Sequence, residues 1–182
     1  MEIKTIKAEI KIRYAAPRDA TLLSRLGRET FYDTFADHPR NSLENVMAYI
    51  EEAFSLEKIE SELADPKAIF LIAESEGEAY GYTKLLIDSY EPAIIASRPI
   101  ELVRLYASKN FIGKGIGAAL MRRCLDEAAY LERDVIWLGV WEYNKRARDF
   151  YNRWKFIPVG SHLFQLGADA QTDLLMQRAI NL

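Results

Sequence analysis

Residues Phe111 to Met121 read FIGKGIGAALM, with Gly113, Gly115 and Gly117 on alternate positions between a strand-like run and a helix with an apolar face. Such a junction can hold a phosphate. Glycine has no Cβ, so successive backbone N–H groups approach and point at a diphosphate, and the first helical turn adds unpaired donors and the positive end of the helix dipole. The same glycines would also serve a plain strand-to-helix turn, so their surroundings must decide. A nucleoside-triphosphate loop needs Ser or Thr after its Gly-Lys pair, whereas Gly113-Lys114 is followed by Gly115. A dinucleotide fingerprint places an acid about twenty residues on, after the next strand. Glu132 and Asp134 have that spacing but precede the apolar run Val135 to Val140. The candidate phosphate contacts are thus the backbones of Gly113, Lys114, Gly115, Ile116, Gly117 and Ala118, with the Lys114 ammonium either an ion-pair partner or a solvated loop cation. Asn144 and Tyr151 stand seven apart, two helical turns, and so share a face. A helix cap would suit Asn144 equally well, and core packing beside Phe150 would suit Tyr151.

Ordinary elements must bring these groups together. Ile10 to Tyr14 alternates as a strand, and Ala16-Pro17-Arg18-Asp19 stops it and caps a helix whose buried stripe is Leu22, Leu23, Leu26, Phe31 and Phe35. Asn41 and Glu44 have capping-box spacing for a second helix carrying Val46, Ile50 and Phe54, and Ser55 caps a third ending near Asp65-Pro66. Ala68 to Ala73 and Tyr80 to Ile87 are apolar runs joined by a hairpin turn over Glu74 to Glu78. After a loop with Pro92 and Pro99, Glu101 to Ala107 is the strand that feeds the glycines. Ile116, Leu120, Cys124, Leu125 and Ala128 then lay one helical face on the sheet. Val135 to Val140 is continuously apolar, as a strand covered on both faces is, and belongs in parallel beside its predecessor. Asn144 to Trp154 is amphipathic, and Phe156 to Val159 with Gln171 to Ala179 forms a closing hairpin. The expected architecture is α/β, a mixed sheet with helices on both faces, in one domain spanning residues 1–182.

The 182 residues are 49% apolar and 28% charged, enough for a packed core and too apolar for disorder. A formal charge of −3 argues against nucleic acid and tolerates a cationic small molecule. Cys124 is the only cysteine, which excludes an internal disulfide and fits a reducing cytoplasm. No apolar run approaches a membrane span, and MEIKTIKAEI carries charges where a leader would be apolar. With only His38 and His162 and no Cys partner, no metal site is expected.

From Ile10 to the C-terminus the chain resembles the GNAT superfamily of acetyl-CoA-dependent N-acetyltransferases, through IRYAAPRDATLL, EAYGYTKL, ELVRLYASKNFIGKGIGAALM, VWEYNKRARDFYNRWKF and QTDLLMQRAI. The resemblance implies a splayed central parallel strand pair in which the pantetheine arm of coenzyme A inserts like a false strand. Leu105, Tyr106 and Ala107 would then offer backbone groups to that arm, one N–H could polarise the thioester carbonyl, and Asn144 would hydrogen-bond nearby. It also implies that Tyr151 gives a proton to the departing thiolate, feasible between a thiol of pKa ~8.5 and a phenol of ~10. Two positions depart from the pattern. Ile112 stands where the family signature has Gln or Arg, and Lys155 where Gly is common, at a cost of about 1–2 kcal/mol if that residue is left-handed. Where some members carry a basic Glu on the central strand this chain has Val103, so Glu101, two residues earlier and hence on the same face, is the candidate base. A water chain to bulk solvent is the alternative.

Within the superfamily, ETFYDTFADHPRNSLENVMAYIEEAF, GVWEYNKRARDFY and FQLGADAQTDLLM resemble PaiA-type spermidine/spermine N-acetyltransferases. This implies a small-molecule amine as partner and an acceptor cleft bordered by the first two helices and the late hairpin. Asp33, Asp37, Glu44, Glu51 and Glu52 are the acids available for a polyamine there, or else a solvated helix face. A peptide α-amine or lysine acceptor, and a CoA-binding regulatory module without turnover, are the competing readings. A homodimer is compatible with all of them.

Overall fold

A computed structural model describes residues 9–180, so the first eight residues, on which the absence of a leader was argued, lie outside the described residues. Its elements in chain order are β1 (Lys11–Tyr14), α1 (Ala20–Phe35), α2 (Leu43–Ala53), α3 (Leu56–Ala64), β2 (Ala68–Ser75), β3 (Glu78–Ile87), β4 (Pro99–Ala107), α4 (Ile116–Tyr130), β5 (Val135–Trp141), α5 (Lys145–Arg153), β6 (Ile157–Leu166) and β7 (Asp169–Ala179). Seven strands lie in the order β1-β2-β3-β4-β5-β7-β6. Among the described residues only the β4–β5 pair is parallel.

Helices cover both faces, as the patterning requires. On one, Ile116, Leu120, Met121 and Cys124 of α4 pack against Leu71, Leu85, Ile100, Leu102 and Ile136, with Phe150 and Tyr151 of α5 at the margin. On the other, Leu23, Leu26 and Phe31 of α1, Val46 and Ile50 of α2 and Ile59 of α3 close over Phe70, Ile72 and Tyr82. The two apolar sets on β2 alternate, which is the period-two signature of a sheet packed on both sides.

Local chemistry sets the boundaries. Ser42, not Asn41, caps α2, accepting from the Asn45 N–H at 3.1 Å. Asn41 instead donates to the Phe35 carbonyl at 2.9 Å and accepts from Gln171 at 2.9 Å, tying the end of α1 to β7. Ser55 caps α3 as expected. The final hairpin is longer than its apolar residues suggested, because β6 is an edge strand whose alternate side chains face solvent. No described helix is long and apolar enough to cross a membrane.

A bulge shapes the centre. Between β3 and β4 the register steps from Lys84↔Arg104 to Leu85↔Leu102, leaving Val103 extra on β4. The alternation assumed between Glu101 and Val103 is therefore interrupted. Ile100 and Leu102 join the α4 side, while Arg104 pairs with Glu62 of α3 on the other.

Candidate active site

Pairing between β4 and β5 stops after Pro99↔Val135, Ile100↔Ile136 and Glu101↔Trp137. Beyond those three the strands part. A cleft of about 770 Å³ opens in the gap, lined by Leu102 to Ala107 on one side and Gly139 to Trp141 on the other. Leu105, Tyr106 and Ala107 keep β3 partners on their far side, so the edge of β4 facing β5 has main-chain groups with no strand to bond. An amide-bearing ligand can replace that strand.

The cleft runs to the glycine turn. Gly113 and Gly115 are left-handed, with φ of 80° and 91°. Gly115 is the N-cap of α4, and Ala119 is the residue whose N–H finds its carbonyl, at 2.9 Å. The N–H groups of Ile116, Gly117 and Ala118 thus stand at the helix start without intrahelical acceptors. Gly113, Gly115, Gly117 and Ala118 line the cleft, while the Ile116 side chain is fully buried in the core. The Lys114 ammonium lies 5.0 Å from the Phe111 ring centre and does not line the cleft. Arg146 and Arg153 of α5 do line it, and no sequence signal singled them out.

Asn144 and Tyr151 both reach the cleft. Asn144 Oδ1 caps α5, accepting from the Ala147 N–H at 3.1 Å, so its amide N–H₂ is the end left for a ligand. Tyr151 stacks edge-on against Phe150 and packs near Phe156. Burial raises its phenol well above the ordinary value, so it holds its proton. Burial would raise a thiolate beside it in the same way, so proton transfer between the two is not made uphill by desolvation alone.

The opposite wall is the one expected to border the acceptor. Thr30, Phe31, Thr34 and Phe35 of α1, Tyr49 of α2 and Phe164 of β6 form it, which brings together the helices and hairpin expected there. Of the two readings of the early acids, the solvated face is the one the structure shows. Asp33, Asp37, Glu44, Glu51 and Glu52 are exposed and none lines the cleft, and Glu51 pairs with Arg28. The carboxylates that do line it are Glu101 and Asp173. Glu101 accepts from Ser89 Oγ at 2.6 Å, and burial raises its pKa against that hydrogen bond. Asp173 sits opposite His162 in the β6–β7 register, and burial pushes its carboxyl up to about 6. Asp173 and His162 were missed because only the pairing of a distant hairpin places them here.

Below Tyr106, Arg104 bonds both oxygens of Glu62 at 2.6 and 3.1 Å, and Lys84 adds a third contact at 2.9 Å. Burial alone would raise the Glu62 carboxyl, but the two cations hold it below its ordinary value.

Sequence comparison agrees with this geometry. The profile of the Acetyltransferase (GNAT) family matches residues 28–156. An uncharacterized N-acetyltransferase from the pepI 3′ region of Lactobacillus delbrueckii subsp. lactis is 32% identical over 171 residues, covering 94% of this chain and 98% of that protein. One from Mycobacterium tuberculosis is 31% identical over 162 residues, covering 89% and 98%. Among solved structures, the PaiA N-acetyltransferase of Thermoplasma acidophilum in complex with coenzyme A superposes with a TM-score of 0.73 at 24% identity, over 94% of this chain and 99% of that one.

Proposed function

The chain belongs to the Acetyltransferase (GNAT) family and is an acetyl-CoA-dependent N-acetyltransferase, and from that premise we propose that its acceptor is a polyamine such as spermidine or spermine. When bound, acetyl-CoA supplies a thioester carbonyl to which the amine nitrogen bonds as the carbon–sulfur bond breaks. The backbone N–H groups from Gly113 to Ala118 take the diphosphate. The free edge of β4 at Leu105, Tyr106 and Ala107 takes the amides of the arm, with Asn144 beside it, and an N–H of that edge steadies the carbonyl oxygen.

Two protons leave the ammonium. Glu101 accepts one through water and passes it to solvent. Tyr151 protonates the departing sulfur from the other side of the sheet, and the second proton restores its phenol. Base and acid therefore flank the gap rather than compete for one side.

One observation carries the polyamine reading: Glu101 and Asp173 line the aromatic acceptor wall, and neither forms an ion pair with Lys or Arg among the described residues. Carboxylates in a cleft with no directly paired Lys or Arg favour a cationic guest. Thiol release from acetyl-CoA should occur with spermidine or spermine and not with peptides bearing a free α-amine or lysine. Turnover of peptides alone would replace the acceptor, and CoA binding with no turnover would make the chain a regulatory module.

A further inference from the structure

Asp173 and His162 face one another across the β6–β7 pair, on the acceptor side of the cleft. Beside them β5 carries Gly139, where a Cβ would lie 3.1 Å from His162 Nε2 and 3.2 Å from Asp173 Oδ2. The bare Cα keeps a slot open. Asp173 Oδ1 is sealed from solvent and receives no hydrogen bond from any described residue. A buried carboxylate oxygen in that state lacks the donor that would stabilise it. His162 is held from behind, with Nδ1 3.3 Å from Glu91 Oε2.

What would supply the donor follows from the surroundings. Among the described residues no group of His, Cys, Asp and Glu is arranged to hold a metal ion. Glu91, Glu101 and Asp173 gather around one imidazole, so an organic cation with N–H donors suits the slot. Register gives the spacing. Glu101 is level with Trp137 on β5, and the Asp173 carboxylate reaches back from its register position at Trp141 to Gly139, two residues on from Trp137, about 7 Å of strand. Two anionic points are thus strung along one cleft.

We infer that the Asp173–His162–Gly139 slot is a second ammonium subsite, which holds a nitrogen of the acceptor other than the one acetylated and so selects amines with two cationic centres. This rests on the acetyl-transfer reading above and deepens it. Glu101 serves the reacting nitrogen, and Asp173 binds the far one through its carboxylate, turned about the Cβ–Cγ bond so that the unpaired oxygen meets the ammonium. Asp173 is then a specificity residue with no part in proton transfer.

The pH dependence has a definite sign. Burial raises the Asp173 carboxyl to about 6, with the His162 charge opposing. It is anionic above that pH and neutral below, so the diamine should bind more weakly as pH falls through about 6. The other groups facing Asp173 are His162 on β6 and Tyr49 on α2, whose own phenol is raised chiefly by burial and in part by this carboxylate. Glu101 and Glu91 bear on it through His162.

Steady-state kinetics with 1,4-diaminobutane and butylamine as acceptors test the subsite. Asp173→Asn should raise the diamine KM at least tenfold, leave kcat within threefold, and leave butylamine KM within twofold. It should also abolish the rise of diamine KM below pH 6. Gly139→Ala should raise diamine KM in the same way by filling the slot. Equal effects on both amines, unchanged diamine KM in both variants, or a loss confined to kcat would overturn the inference. Calorimetric titration of 1,4-diaminobutane into the CoA-bound protein reads the slot without turnover. Binding that Asp173→Asn abolishes, in a protein that acetylates nothing, would overturn the proposed reaction and keep the subsite, whereas no binding would overturn the subsite.

Discussion

The two ends of the cleft are made of different material. At the end proposed for the cofactor the surface is main chain: the free edge of β4, two left-handed glycines and the first turn of α4. At the acceptor end it is side chain: rings from α1, α2 and β6, and carboxylates whose positions depend on strand register. Main-chain surface tolerates changes of side chain and fails when something grows into it. Side-chain surface fails when one member is removed. A common cosubstrate with a variable acceptor suits that division.

The largest effect should come from the acceptor end. Glu62 pairs with both Arg104 and Lys84, with all three side chains about 10% exposed or less. Glu62→Ala would leave two cations buried without a partner beneath Tyr82 and Tyr106, at a cost of about 3–5 kcal/mol. Urea unfolding should show the loss, and a difference below ~1 kcal/mol would mean that the wall does not depend on its buried ion triad.

Next comes the cofactor end, which should respond to size alone. A Cβ on Gly117 would meet Phe150 at 3.7 Å and Leu105 at 3.8 Å, ordinary contacts. Gly117→Ala should therefore bind CoA within about fivefold of the parent, a difference of ~1 kcal/mol. Gly117→Trp, which fills the cleft, should weaken binding at least about a hundredfold, or ~2.7 kcal/mol, with the fold retained. Calorimetry with CoA separates the two, and equal affinities would break the main-chain account.

Tyr151 belongs to neither end, since the proposed proton transfer takes place where the ends meet. Tyr151→Phe should keep CoA affinity while kcat falls at least about tenfold, ~1.4 kcal/mol in barrier. Stopped-flow thiol release measures it. Unchanged turnover would remove the phenol from the chemistry and leave it as packing against Phe150.

The same division explains what the sequence disclosed. The glycine turn is contiguous, so its spacing together with its neighbours makes it a candidate phosphate site, and the apolar run Val135 to Val140 points to a strand covered on both faces. Glu101 was found by counting along one strand, and the bulge at Val103 altered its face relative to its neighbours without moving it out of the cleft. Asp173 and His162 come from the paired strands of a late hairpin, and nothing local marks either as cleft-facing. The helix acids stayed ambiguous in the sequence for the converse reason. Asp33 and Glu51 have helical spacing that fits several faces, and tertiary packing turned them to solvent.

Lys155 offers the smallest effect and the cleanest control. Its φ is 67°, the left-handed conformation that the family's glycine would adopt without strain. It follows α5 as the residue after the C-cap Trp154, and two hydrogen bonds fix it there: its own N–H to the Asn152 carbonyl at 3.0 Å and the Phe156 N–H to the Tyr151 carbonyl at 3.1 Å. This is the Schellman closure of a helix, and its left-handed residue is usually Gly. The backbone of Tyr151 is thus anchored by a turn in which the adjoining residue is strained. Lys155→Gly should relieve about 1 kcal/mol and raise Tm by roughly 2–4 °C, with kcat unchanged within twofold. Differential scanning calorimetry reads the first and thiol release the second. A stability gain accompanied by altered turnover would mean that the strain is transmitted to the phenol, and that the junction between the two ends is tuned by this turn as well as occupied by it.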